Sequence, residues 1–95
     1  MNRQQHLLIK IMEECGEIQQ AASKALLFGL DAGYPGTDRK NVTDLNNELN
    51  DLVAVVDMLT TDGLDLHADE NRIESKKAKV EHWMLYSAEQ GILSV

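Results

Sequence analysis

Glu13-Glu14-Cys15-Gly16-Glu17 and Glu48-Leu49-Asn50-Asp51 are two short acidic signatures, each set in an apolar helical repeat within the stretch from Ile9 onward. In each, two carboxylates stand three residues apart, Glu14 with Glu17 and Glu48 with Asp51. On a helix that spacing makes near neighbours, roughly 5–6 Å between Cβ atoms. Two such helices packed side by side gather Glu14, Glu17, Glu48 and Asp51 around one point. Four carboxylates that close repel one another unless a hard cation sits between them. Oxygen-only donors favour Mg²⁺, Mn²⁺ or Ca²⁺. A helical cluster open on one side suits Mg²⁺, which completes its octahedron with water and phosphate oxygens, with Mn²⁺ as a substitute.

The flanking sequence supplies the helices. Leu8, Ile11, Met12, Cys15, Ile18, Ala22 and Leu26 recur at three- and four-residue intervals, predicting an amphipathic helix from about Asn2 to Phe28. Glu13, Glu14 and Glu17 then fall away from that stripe, Glu14 nearest its edge. A second helix is expected from Asn41 or Thr43, both good N-caps, to about Thr61, with Leu45, Leu49, Leu52, Val55, Val56 and Leu59 as its apolar face. Glu48 and Asp51 border that face, where a carboxylate is costly unless paired or bound to metal. Between these helices, residues 29–41 hold three glycines and Pro35, which predicts a loop. Its length suits a functional cover as well as a solvated connector, and Tyr34, Arg39 and Lys40 are its candidate ligand contacts.

A third helix is expected to begin between Asp65 and Glu70, with Ile73, Val80 and Met84 as core positions. Arg72, Lys76, Lys79 and Trp83 share a narrow arc on it. A basic row ending in an indole would serve a phosphate chain carrying a base, and equally a solvated face with Trp83 as interface filler. Residues 89–95 are expected to fray or to pack on a partner copy.

Composition narrows the classes. Ninety-five residues with 43% hydrophobic content make one domain, residues 1–95, and a chain this short gains stability by association. Aromatic residues are only 4%, which suits an all-α chain. A net charge of −7 and a pI near 4.7 argue against nucleic-acid or anionic-membrane partners. No stretch reaches membrane-spanning length, and the lone Cys15 fits a reducing cytoplasm. No histidine follows a glutamate by three, so the Glu-x-x-His element of di-iron bundles is missing. Zinc spacing, a P-loop and a nucleophilic triad are missing as well.

Glu-Glu-x-x-Glu at 13–17 followed by Glu-x-x-Asp at 48–51 resembles the signature of the MazG-like, all-α nucleoside triphosphate pyrophosphohydrolases. The run from Glu48 to Leu59 is similar to the second helix of short members, many of them from phages or mobile elements, and Ile73 to Met84 to their third. The interval between the motifs is longer here than in many members. The resemblance implies cleavage of a nucleoside triphosphate to monophosphate and pyrophosphate. Glu14, Glu17, Glu48 and Asp51 would bind Mg²⁺, and Glu13 would orient a water or ligand. It further implies four-helix bundles completed by a second chain, as a homodimer or a dimer of dimers. Lys76 and Lys79, with Arg72 or Lys24, would hold the phosphate tail, and Trp83 or Tyr34 would stack on the base. Two other readings compete: a narrower dUTP-, dCTP- or phosphoribosyl-ATP-directed hydrolase, and a non-enzymatic helical interaction module.

Overall fold

The computed structural model describes residues 1–94 as three α-helices: α1 (Arg3–Phe28), α2 (Asn41–Thr61) and α3 (Glu70–Glu89). The all-α expectation holds, with no strand among the described residues beyond an isolated bridge between Gly33 and Lys40. No helix is long and apolar enough to cross a membrane. Local signals explain the helix starts. Asn2 caps α1 through a reciprocal box, accepting from the Gln5 amide at 2.8 Å while the Gln5 side chain accepts from the Asn2 amide at 3.0 Å. Asp69 caps α3 by accepting from the Arg72 amide at 3.0 Å.

Asn41 departs from its expected role. The N-cap of α2 is Lys40, which makes no side-chain cap bond. The buried Asn41 amide instead donates to Gly29 O at 2.9 Å and Lys24 O at 3.5 Å. It thereby ties the end of α1 and its C-cap residue to the start of α2.

The loop between α1 and α2 is an ordered strap. Thr37 N bonds Tyr34 O across Pro35-Gly36, and Gly36 sits at φ +81°, the geometry of a type II turn. Asn41 N then bonds Ala32 O at 2.7 Å and Val42 N bonds Leu30 O at 3.0 Å. Gly33 is required where the two limbs meet, because a Cβ there would collide with the Arg39 carbonyl oxygen. Gly33→Ala is expected to open the strap and speed hydrogen exchange of the Asn41 and Val42 amides roughly tenfold or more. Unchanged protection at both amides would contradict that account.

Helices α1 and α2 pack together, and α3 packs on neither. Leu59 is fully buried between them, with Leu7 and Ala21 buried on α1. The radius of gyration is 17.0 Å, against about 13 Å for a compact chain near this length. The α1 strip facing α2 is Leu7, Ile11, Glu14, Ile18, Ala21 and Ala25. That is offset from the sequence expectation, because Leu8, Met12, Cys15, Ala22 and Leu26 are exposed, Met12 by 72% and Leu26 by 87%. Two adjacent rows on α1 are apolar, and α2 covers the other one. On α2 the expected face is used apart from Leu49, which is exposed. After Glu89 the chain folds back, with Ile92 N and Leu93 N bonding Ser87 O. The rest of that expectation, at Val95, lies outside the described residues.

Candidate metal centre

Because α1 and α2 run in contact, their two acidic pairs meet. One carboxylate oxygen from each of Glu14, Glu17, Glu48 and Asp51 lies within 4.8 Å of the others. Glu14 and Glu48 are half-buried in the helix interface, whereas Glu17 and Asp51 face solvent. The Oε2 atoms of Glu14 and Glu48 are buried and lack any hydrogen-bond partner among the described residues. An orphaned carboxylate oxygen in a helix interface costs free energy unless something supplies positive charge.

The titration of the group reflects this. Glu14 is pushed above the ordinary glutamate range, first by burial and then by the charges of Glu17 and Asp51. Glu48 is also pushed up, first through hydrogen bonding with the Glu17 carboxyl, then by burial and the neighbouring charges. Lys10 brings little relief to the four, because its ammonium is bonded to Glu13 at 2.8 Å. That bond raises Lys10 and lowers Glu13. Glu13 therefore stands outside the cluster, engaged on its flank.

Four oxygens at this spread fit a divalent cation. Opposite ligands of an octahedral Mg²⁺ stand about 4.2 Å apart, and those of Ca²⁺ about 5 Å. An all-carboxylate donor set is hard, matching Mg²⁺ or Mn²⁺, and two of its members hold buried oxygens with no hydrogen-bond donor among the described residues.

Beyond the carboxylates two cations, Lys24 and Arg39, enter the surface beside a further acid, Asp44. A small cavity of about 60 Å³ is lined by Glu17, Gln20, Lys24, Arg39, Asp44 and Glu48. A larger one of about 470 Å³ shares Lys24, Arg39 and Asp44 and adds Phe28, Tyr34 and Pro35. Arg39 donates from Nε to Asp44 Oδ1 at 2.6 Å, and this bond, with a smaller contribution from Glu48, holds its guanidinium firmly protonated. Lys24 is thus brought beside Glu17 and Glu48, whereas Tyr34 lines the adjoining cavity. Lys76, Lys79 and Trp83 line a separate groove of about 640 Å³ between α3 and its own tail, closed by Ile92 and Leu93. Arg72 lies on the exposed first turns of α3, outside all three cavities. Sequence reasoning missed Gln20 and Asp44. Asp44 stands four residues before Glu48, which places both on one face of α2, a signal the spacing does contain.

Comparison with protein-family models, curated proteins and solved structures gives no match for this chain.

Carboxyls raised in the folded state bind protons more readily there than in the unfolded chain. Their contribution to stability is present at low pH and is lost as pH rises from about 4.5, the ordinary glutamate value, through the raised values. Metal-free protein should therefore lose melting temperature over that window, and millimolar Mg²⁺ should restore part of it at neutral pH. Thermal melts of the parent and of Glu14→Gln/Glu48→Gln check this. A parent pH slope no steeper than that of the double variant would refute it.

Proposed function

We propose that the chain is a Mg²⁺-dependent nucleoside triphosphate pyrophosphohydrolase, converting a (d)NTP and water to (d)NMP and pyrophosphate. The observation that carries this reading is the convergence of Glu14, Glu17, Glu48 and Asp51 with orphaned buried oxygens on Glu14 and Glu48. The resemblance of both acidic motifs to MazG-like enzymes supports it, and so does the trough holding Lys24 and Arg39 beside them.

Glu14, Glu17, Glu48 and Asp51 would hold the ion. Bound there, Mg²⁺ supplies charge neutralisation for the phosphate chain and acidifies an attacking water. Lys24 and Arg39 attract the phosphate oxygens that a chain of net charge −7 otherwise repels. Glu13, held by Lys10 on the flank of the cluster, would orient a water or ligand.

Association of copies belongs to the same reading. The exposed row Leu8, Met12 and Leu26 on α1, and Val80, Trp83 and Met84 on the unpacked α3, are apolar surface that a homodimer or dimer of dimers would bury in four-helix bundles. Such packing would let α3 of a second copy carry Lys76, Lys79 and Trp83 to the carboxylates. A cytoplasmic location fits the lone exposed Cys15.

The test is a nucleotide panel, including dUTP, dCTP and phosphoribosyl-ATP, incubated with Mg²⁺ and scored for pyrophosphate against phosphate. Pyrophosphate release that stops on chelation is expected. Phosphate alone, or no turnover of any triphosphate, sinks the reading and leaves a helical interaction module.

A further inference from the structure

We propose that the strap at residues 29–41 builds the subsite for the flat aromatic end of the ligand, with Phe28, Tyr34 and Pro35 as its walls and Arg39 with Lys24 at its junction with the carboxylates. This rests on the nucleotide reading and adds where, and in which orientation, the ligand lies. The two cavities share Lys24, Arg39 and Asp44, so they adjoin, the smaller reaching Glu17 and Glu48 and the larger the strap. The chemistry along them is graded: carboxylates for a cation, then Lys24 and the Asp44-paired Arg39 for anionic oxygens, then apolar rings. A ligand that is polyanionic at one end and aromatic at the other matches that order in one direction only.

The larger cavity, about 470 Å³, lies within the range of roughly 300–1,000 Å³ that small-molecule sites occupy. Tyr34 and Phe28 are exposed large rings with no packing role in the helix interface. The strap holds Tyr34 through its backbone, where its carbonyl accepts from Thr37 N and from Thr37 Oγ1 at 2.8 Å. Its hydroxyl makes no hydrogen bond among the described residues. Pro35 and the Gly33 crossing fix the strap's shape, which keeps the wall in place before a ligand arrives. Arg39, bonded to Asp44, ties the strap to α2 one helical turn before Glu48.

The experiment is calorimetric binding, with Mg²⁺, of a nucleoside triphosphate carrying a non-hydrolysable α,β bridge, and separately of inorganic tripolyphosphate. The proteins are the parent, Tyr34→Ala, Phe28→Ala and Arg39→Gln, each checked for helical content. Tyr34→Ala and Phe28→Ala should weaken the nucleotide roughly tenfold while leaving tripolyphosphate unchanged, the size expected of one lost stacking contact. Arg39→Gln should weaken both ligands by a similar factor. Parent-like nucleotide binding by both ring variants overturns the subsite, as does equal weakening of tripolyphosphate. A parent that binds the nucleotide as expected yet cleaves none of its hydrolysable relatives overturns the hydrolase reading alone. A parent that binds neither ligand overturns both.

Discussion

Glu48→Gln is expected to lower Mg²⁺-dependent pyrophosphate release by about 100-fold or more, while the protein stays folded. The substitution keeps the size and one carbonyl oxygen but removes the charge from the carboxyl most entangled with its neighbours. Glu48 is half-buried, interacts with Glu17, and carries an oxygen that no other described residue satisfies. A structural carboxylate would behave differently, since its loss would cost stability. Here the loss relieves repulsion, so the melting temperature of metal-free Glu48→Gln should equal or exceed that of the parent. Loss of activity together with a steadier metal-free fold is a combination that simple unfolding cannot produce. Retained activity in this variant would remove the carboxylate cluster from the chemistry.

The second large effect concerns the fold. Leu59, at 0% exposure, is the most deeply buried large side chain, and it closes the α1–α2 interface. Leu59→Ala should cost about 3 kcal/mol, the middle of the range for deleting a buried leucine. Small domains are stable by only about 5–15 kcal/mol, so a pronounced fall in melting temperature follows. Leu26→Ala provides the contrast, being an equal change at an exposed site. It should move the chain's own stability by less than about 0.5 kcal/mol, and should act on self-association instead. Denaturant unfolding with sedimentation separates the two effects. Equal destabilisation by both variants at low concentration would mean that the exposed α1 row belongs to the fold of the single chain.

How much of this was legible in the sequence differs from helix to helix. On α2 a single apolar face runs from Leu45 to Leu59, so periodicity alone put Glu48 at its border, and the structure finds it half-buried there. On α1 the residues at 8, 12, 15, 22 and 26 form one row, and those at 7, 11, 18, 21 and 25 another beside it. Hydropathy ranks two such rows but does not say which one a neighbour covers. Glu14 lies on the covered row, which is why its burial was not read in advance. The role of Asn41 was hidden for a related reason. Its sequence position marks a helix start, but its partners are the Gly29 and Lys24 carbonyls, reached only once the strap has doubled back. The basic row on α3 was visible as spacing. Its separation from the carboxylates within one chain was not, because that depends on α3 packing against neither α1 nor α2. Arg39 and Tyr34 were visible as loop residues, but what brings Arg39 to Glu17 and Glu48, and Tyr34 to the adjoining cavity, is the return of the strap onto α2.

The central claim is that a divalent cation lets the four carboxylates share one pocket. The most direct measurement is Mn²⁺ titration followed by electron paramagnetic resonance, comparing the parent with Glu14→Gln/Glu48→Gln in the absence of nucleotide. The parent should take up Mn²⁺ and lose the free-ion signal, Mg²⁺ should compete it off, and the double variant should leave the signal intact. A parent indistinguishable from the double variant would contradict the account.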